Sequence, residues 1–97
     1  MATIAILDLQ LKPDSLETAH EVIHATLTGT RAFPGCLGAT VLIDSDDPAH
    51  VIIYETWESI ERDRAYRAWR ASPEGASALG SILAARKLTQ FTVAEGV

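Results

Sequence analysis

Two apolar stretches joined by an acidic, proline-containing segment constrain this chain more than any other feature. The stretches are residues 39–43 and 50–57, and residues 44–48 lie between them. Apolar and β-branched runs of this length predict strands. The connection, taken as residues 44–49, is predicted to be too long for a tight two-residue hairpin. The second strand ends at Trp57 directly before a charged helical segment, so a large aromatic side chain is expected where the hairpin enters a helix.

The rest of the chain supplies further strands and helices around this hairpin. Residues 3–11 alternate with the period of a strand, and residues 16–32 place apolar side chains at helical spacing. Ser59 is a suitable N-cap for a second helix that reaches about residue 71. Ser72-Pro73 is predicted to start a further short helix, and residues 88–93 to form the last strand. The order predicts one α+β domain over residues 1–97, with ferredoxin-like βαββαβ topology and an antiparallel sheet.

The pattern of the strands also predicts a partner for the sheet. Apolar residues occur on both faces of the first three predicted strands. Helices would cover one face, and the other would be too apolar for water. A second copy, packed sheet to sheet about a twofold axis, is the simplest cover. We therefore predict a homodimer through the sheet face, in the manner of a dimeric α+β barrel.

Charge and cysteine content argue against several classes of protein. A net charge of −5 disfavours a nucleic-acid partner, because such proteins need a basic surface for phosphates. No membrane partner is expected, since no apolar run approaches the ~20 residues of a bilayer span and no N-terminal signal pattern is visible. Cys36 has no disulfide partner, which predicts a reducing, cytoplasmic location. The arginines of the second helix are interpreted as part of a solvated face: Arg62, Arg64, Arg67 and Arg70.

Four short segments resemble a known family. They are Pro-Gly-Cys at 34–36, Asp-Pro at 47–48, Tyr-Glu-Thr-Trp-Glu-Ser at 54–59, and a later aromatic residue followed by Ser-Pro at 72–73. With these segments the chain resembles the antibiotic biosynthesis monooxygenase family, a branch of the dimeric α+β barrel superfamily. The resemblance implies a homodimer formed by two sheets, with a pocket in each subunit between the sheet and the helices.

The resemblance also implies a range of activities. Members include cofactor-independent oxygenases of anthrones and quinols, haem-degrading enzymes, and isomerases of small signalling molecules. The haem-degrading members pair a tryptophan with a helix histidine and an asparagine. Trp57 matches that tryptophan, but Trp69 replaces the histidine and the chain has no asparagine, so haem degradation is disfavoured. Of the residues used by the anthrone oxygenases, Trp57 and, more loosely, Tyr66 are present.

Three aromatic residues are candidates for binding a flat substrate. Trp57 can stack on a planar ligand and donate its indole N–H; alternatively, it is a core residue that fills the gap. Tyr66 and Trp69 are three residues apart and share one side of the second helix. Tyr66 is also a candidate catalytic residue, because its hydroxyl can bind or protonate a substrate oxygen. Ordinary packing of the helix on the sheet is the alternative for both.

Two polar residues are candidates for a catalytic base. His20 borders the apolar side of the first helix and is expected to reach the pocket as a proton acceptor. Asp8 would be a buried carboxylate and a base if its side of the first strand faces the helices, and an exposed residue otherwise. His20 and His24 have the spacing of a metal pair, but no third ligand is near, so no metal site is predicted. Glu55 is predicted to form a salt bridge, across the dimer or to a helix arginine.

These residues support two hypotheses. In the first, the chain is a cofactor-independent monooxygenase of a small aromatic, polyketide- or quinol-like substrate, since no dinucleotide, flavin or metal motif is visible. Deprotonation by His20 or Asp8 would give an anion that passes an electron to O₂, while Trp57 and Tyr66 hold it. In the second, the chain is a non-catalytic or vestigial small-molecule-binding dimer. A gap filled by its own aromatic side chains would favour the second hypothesis, and an open cavity of roughly 300 Å³ or more would favour a ligand.

Overall fold

A four-stranded antiparallel sheet carries two helices on one face. The computed structural model describes all 97 residues. Its elements are β1 (Thr3–Leu11), α1 (Leu16–Ala32), β2 (Cys36–Asp44), β3 (Asp47–Trp57), α2 (Ile60–Arg70) and β4 (Leu83–Thr92). The strand order across the sheet is β2-β3-β1-β4, and each neighbouring pair is antiparallel. The predicted ferredoxin-like α+β fold is therefore confirmed.

The main core lies between the sheet and α1. Alternate residues of β1 and of the second half of β3 face the helices and are buried, as the period of a strand requires. From α1, Ala19, Ile23 and Leu27 recur at helical spacing and are at most 2% exposed. Leu79 and Ile82, which precede β4, complete the cluster. Burying one large apolar side chain contributes about 1.5–3 kcal/mol to stability. A shift of the strand register by one residue would turn all the buried side chains of that strand to the opposite face of the sheet.

The segment between α2 and β4 differs from the prediction. The further short helix does not form; two 3₁₀ turns, Pro73–Gly75 and Leu79–Ile82, take its place, and β4 begins at Leu83. Ser72 does act as a cap, because its side chain accepts the N–H of Gly75. At Gly75 the chain returns so closely to α2 that a Cβ would lie 2.0 Å from the carbonyl oxygen of Trp69. A glycine backbone allows this approach, whereas a helical turn bearing side chains would not fit.

The connection between β2 and β3 is shorter than predicted. Asp44 pairs with Asp47, so only Ser45 and Asp46 form the turn, and the prediction of a longer loop is wrong. No non-glycine residue in the chain has a positive φ, and the register shifts beside the turn. The carboxylates of Asp44 and Asp47 accept the N–H groups of Asp46 and Ala49, each at 2.9 Å. Aspartate side chains thus stabilise a turn without Asn-Gly or Gly-Gly.

The face of the sheet that carries no helix, called the open face, is apolar over most of its length. Ile4 pairs with Phe91 and Ile52 with Leu42, so each pair shares this face. Phe91 is 50% exposed and Leu42 is 46% exposed. The apolar side chains on the open face are Ile4, Ile6, Leu42, Ile52, Tyr54 and Phe91.

One end of the open face is polar, because a histidine there bridges two aspartates. His50 Nε2 lies 2.8 Å from Asp8 Oδ1, and His50 Nδ1 lies 2.8 Å from Asp44 Oδ2. These hydrogen bonds, that to Asp44 first, raise the pKa of His50, and the bond to His50 lowers the pKa of Asp44. Asp8 therefore faces away from the helices, with its side chain 49% exposed. The prediction of a buried catalytic base at Asp8 is wrong, since the opposite parity of β1 faces the core.

Replacing Asp44 with asparagine is expected to lower the pKa of His50, because the largest of the causes that raise it, the hydrogen bond to the Asp44 carboxylate, is weakened. In the wild type, the raised pKa means that the stabilisation from this cluster is fully present below pH 6.5 and is lost as the pH rises through the folded-state pKa. NMR titration of the His50 ring measures the pKa directly. Asp46→Asn, in the same turn but not bonded to His50, is the matched control. An unchanged His50 pKa in Asp44→Asn would contradict the bridge.

Candidate active site

A cavity of about 500 Å³ lies between the sheet, α1 and α2. The sheet supplies Leu7, Arg86 and Leu88 to its wall, and α1 supplies Thr26. The α2 side contributes Tyr66, Arg67 and Arg70, and residues 76–80 pass along the remaining side. The volume is within the range of small-molecule sites, so the gap between sheet and helices is not filled by the protein's own side chains.

The hydroxyl group of Tyr66, a residue of the cavity wall, is held in place by hydrogen bonds. Tyr66 Oη and Thr30 Oγ1 form a hydrogen bond of 2.6 Å, and Arg70 Nε donates to Tyr66 Oη at 2.8 Å. Thr30 Oγ1 also lies 3.2 Å from the carbonyl oxygen of Thr26, one turn earlier in α1. Tyr66 is 3% exposed, so its ring has little freedom. The spacing of four residues between Tyr66 and Arg70 places both on one side of α2.

Arg70 carries a positive charge that no carboxylate neutralises. Its guanidinium donates to Tyr66, to the carbonyl oxygen of Gly75 at 3.2 Å and to that of Thr26 at 2.6 Å, all neutral acceptors. It takes part in none of the ion pairs of the chain. A Cβ on residue 29 would lie 3.2 Å from Arg70 Nη2, so Gly29 gives the guanidinium room beside α1.

A buried ion cluster holds α2 against the sheet. Glu55 Oε1 accepts the indole N–H of Trp57 at 3.1 Å and also accepts from the guanidinium of Arg67. Arg67 Nε lies 3.0 Å from Asp63 Oδ1, and Asp63 Oδ2 accepts from Gln90 at 2.7 Å. Glu55 and Asp63 are at most 1% exposed. The structure agrees with the predicted salt bridge from Glu55 to a helix arginine within the subunit.

The interpretation of the α2 arginines as a solvated face is wrong for two of the four. Arg62 and Arg64 are exposed, but Arg67 and Arg70 are half-buried and lie at the cavity. The sequence does contain a signal for them, since each follows a buried residue of α2, Asp63 or Tyr66, by four positions.

Two of the three aromatic candidates stand behind the cavity wall. Trp57 is fully buried, with its ring centroid 4.8 Å from that of Tyr66, and it lines none of the cavities. Trp69 is half-buried, also outside the cavity lining, with the Arg70 guanidinium 4.7 Å from its ring centroid. Trp57 and Trp69 therefore pack the helix against the sheet, which was the alternative to binding a substrate. Tyr66 alone of the three reaches the cavity.

His20 is not brought to Tyr66. It is exposed on α1 and, with His24 and Arg31, lines a separate groove of about 250 Å³. His20 is six residues from Thr26, which at 3.6 residues per turn places the two about 120° apart around α1. His20 therefore lies at a groove between α1 and β2 and not at the cavity that Tyr66 lines, and its role as a proton acceptor stays a prediction. No group of three or more His, Cys, Asp and Glu side chains is placed to hold a metal ion.

Cys36 is also outside this cavity. Burial raises the pKa of its thiol, and its Sγ lies 3.7 Å from the carbonyl oxygen of Gly38. A raised pKa keeps the thiol protonated at neutral pH, so Cys36 is not poised as a nucleophile.

Known proteins share the sequence pattern and the fold of this chain. The sequence model described as antibiotic biosynthesis monooxygenase matches residues 3–78. The chain belongs to this family. A comparison with curated proteins found no match. Neither α1 nor α2 is long and apolar enough to span a membrane.

Solved structures share the fold of this antibiotic biosynthesis monooxygenase family member at low sequence identity. A variant of SnoaB, a cofactor-independent oxygenase from Streptomyces nogalater, superimposes with a TM-score of 0.83 at 16% identity, covering 99% of this chain and 96% of SnoaB. Rv0793 from Mycobacterium tuberculosis gives 0.78 at 20% identity, with both chains fully covered. A conserved protein from Methanosarcina mazei gives 0.77 at 17% identity, covering 94% of this chain and 91% of its own.

Replacing Glu55 with alanine is expected to destabilise the fold by about 3 kcal/mol, because the Arg67 guanidinium and the Trp57 N–H both lose a buried partner. Equilibrium urea unfolding measures the change. Glu58→Ala is the matched control: its ion pair with Arg62 spans 3.6 Å and both side chains are 54% exposed. Its loss should stay within about 0.5 kcal/mol. Equal effects of the two substitutions would contradict the anchoring role of Glu55.

Proposed function

We propose that this family member is a cofactor-independent monooxygenase of a small, flat aromatic substrate of polyketide or quinol type. The observation that carries the proposal is the cavity of about 500 Å³, whose wall includes Tyr66 and Arg70, with the Tyr66 hydroxyl held by the Arg70 guanidinium. Family membership supports oxygenase chemistry, and the fold is shared with SnoaB, a cofactor-independent oxygenase. A cytoplasmic location, expected from the single Cys36, is part of the proposal.

The chemistry proposed is conversion of an activated CH₂ group and O₂ into a carbonyl group and water. The substrate loses a proton to give a delocalised anion, which passes one electron to O₂. The resulting substrate radical and superoxide combine in a C–O bond, and protonation gives a hydroperoxide. Loss of water from the hydroperoxide leaves the carbonyl. All four electrons that reduce O₂ come from the substrate, so the reaction balances without another reductant.

In this scheme the side chains bind the anion and control its protons. When substrate binds, Thr30 Oγ1 donates to Tyr66 Oη, so the single Tyr66 proton is available to the substrate oxygen and later to the peroxide. The Arg70 charge stabilises the anion, an effect that is strongest where water is excluded. No carboxylate or imidazole lines the cavity. The first proton is therefore assigned to water, and the base roles of His20 and Asp8 are not retained.

The missing base favours a second candidate function. An enzyme that depends on its substrate's own acidity is limited to substrates that ionise readily. A non-catalytic dimer that binds the same flat molecules would need the cavity and its hydrogen bonds but no base. The two candidates differ in oxygen uptake and agree in ligand binding.

Oxygen uptake with a panel of anthrones and quinols is expected to exceed the buffer rate. Tyr66→Phe should lower kcat about 100-fold, the usual size of a proton-transfer contribution, with little change in ligand affinity. Tyr54→Phe makes the same chemical change on the open face, where the ring is 38% exposed, and should leave kcat unaltered. If no member of the panel caused oxygen uptake but the compounds still bound, the oxygenase would be excluded and the ligand-binding dimer would remain.

We also propose that two copies pair through the open face. Six apolar side chains lie there without a helix over them, and the two largest exposed fractions are those of Phe91 and Leu42, at 50% and 46%. Contiguous apolar area of this kind marks interaction sites in proteins. Pairing through the open face leaves the cavity, on the opposite side of the sheet, free for a ligand.

Replacing Ile6 with lysine is expected to convert the proposed dimer into a monomer, because each copy would bring a charge to the centre of the apolar face. Gel filtration coupled to light scattering measures the molecular mass. A concentration of about 10 μM is suitable, because a stable dimer is fully formed there. Thr18→Lys adds the same charge on the exposed side of α1 and should leave the dimer intact. A wild-type chain that is monomeric at this concentration would refute the pairing.

A further inference from the structure

Two carboxylates share a single guanidinium in the buried ion cluster beneath α2. Glu55 and Asp63 both contact Arg67, both are at most 1% exposed, and neither is paired with another cationic side chain. The cluster therefore carries one negative charge that is not neutralised. An excess charge in the protein interior favours a positive charge close by, because little water is present to screen it. The oxygenase scheme makes no use of this charge.

The indole of Trp57 lies directly beside this charge. Its N–H donates to Glu55 Oε1 at 3.1 Å, and its ring is fully buried. The ring centroids of Trp57 and Tyr66 are 4.8 Å apart and the ring planes are inclined by 33°, so the two rings are in contact. Since Tyr66 lines the cavity, a path through two touching aromatic rings leads from the cavity to Trp57.

Guanidinium groups lie over the two neighbouring rings but not over that of Trp57. The Tyr66 ring centroid is 4.8 Å from Cζ of Arg67 and 5.3 Å from that of Arg70. Arg70 Cζ also lies 4.7 Å from the Trp69 ring centroid. A cation is attracted by the π electrons of a ring and repelled by a ring that has lost an electron, so both rings are protected from oxidation. Trp57 has a carboxylate at its N–H instead and is the easiest of the three to oxidise.

We propose that Trp57 is a one-electron donor to the cavity, which acts through Tyr66 and releases its indole proton to Glu55. The oxidant is a peroxyl radical of the substrate. This inference rests on the proposed function, in which a substrate radical forms together with superoxide. If the superoxide escapes, the substrate radical adds a second O₂ and becomes a peroxyl radical, which is one electron and one proton short of the hydroperoxide. Trp57 supplies the electron, so the reaction still reaches the hydroperoxide.

The electron and the protons pass between named groups in this step. The O–H bond of Tyr66 breaks, and its hydrogen atom completes the hydroperoxide. The Tyr66 radical takes one electron from Trp57 and becomes a phenolate, which Arg70 Nε, 2.8 Å away, stabilises. The N–H bond of Trp57 breaks as its proton passes to Glu55. The next substrate anion then returns one electron to Trp57, Glu55 returns the proton, and water reprotonates Tyr66.

One-electron oxidation of the chain in the absence of substrate tests the donor. Illuminated tris(bipyridine)ruthenium with persulfate supplies the oxidant, and EPR spectra of samples frozen in H₂O and in D₂O identify the radical. We expect a tryptophan radical without an exchangeable N–H coupling, because the proton has moved to Glu55. Trp69→Phe should leave the spectrum unchanged, although Trp69 is the more exposed indole. A tyrosyl radical, or a tryptophan signal that is lost in Trp69→Phe, would overturn the proposal.

Glu55→Gln, made in the Trp69→Phe chain, tests the carboxylate. Glutamine keeps the size of the side chain but removes its charge, so the Trp57 signal should fall several-fold and what remains should show the N–H coupling. Glu58→Gln removes an exposed charge and should leave the spectrum unchanged. An unaltered signal in a folded Glu55→Gln chain would contradict the role of Glu55. If that variant does not fold, the comparison of the wild type with Trp69→Phe still decides whether Trp57 is the donor.

The radical is measured independently of oxygen uptake. A Trp57 radical in a chain that takes up no oxygen with any substrate would uphold the one-electron donor and refute the oxygenase. Oxygen uptake by a chain whose radical forms on Trp69 would do the reverse.

Discussion

The pairing of Glu55 with Arg67 is the interaction on which the site depends. A carboxylate this deeply buried is unfavourable unless it is paired and hydrogen-bonded, and Glu55 obtains both from Arg67 and from the Trp57 indole. Arg67 belongs to α2, so satisfying Glu55 fixes the rotation of that helix on the sheet. Tyr66 and Arg70 lie on the same side of α2 and are brought to the cavity as a result. The buried carboxylate of Glu55 therefore sets the position of Tyr66 and Arg70, whose proposed role is at the cavity.

The spacing of apolar residues along the chain was sufficient to predict the fold. Alternation over β1 and the spacing of Ala19, Ile23 and Leu27 in α1 reflect burial, which is the largest favourable term in folding and leaves a clear trace in sequence. Both elements have the bounds predicted for them. The segment after α2 was harder to predict, because Ser72-Pro73 can begin a 3₁₀ turn as well as an α-helix. The tight return at Gly75 depends on contact with Trp69, and local propensity does not encode such a contact.

The site was only partly predictable, because it depends on which face each residue occupies. Tyr66 was identified from its place on α2, but the parity of β1 decided that Asp8 lies on the open face, and the turn of α1 decided that His20 lies beside a different groove. Arg67 and Arg70 looked like surface residues, since charged residues adjacent in sequence usually are. Their roles follow from partners distant along the chain, Glu55 and Thr26, which a pattern within one helix does not contain.

Asp44 makes the turn of the β2–β3 hairpin sensitive to pH. One oxygen of its carboxylate accepts the backbone N–H of Asp46 and closes the turn, while the other holds the imidazole of His50. The hydrogen bond to His50 is the main reason that the pKa of Asp44 is lowered, so both contacts persist in mildly acidic solution and weaken as the pH falls through that lowered value. The contact with His50 also weakens as the pH rises through the raised pKa of the imidazole. The turn of the hairpin and the imidazole contact of β3 are therefore both coupled to the charge of one carboxylate.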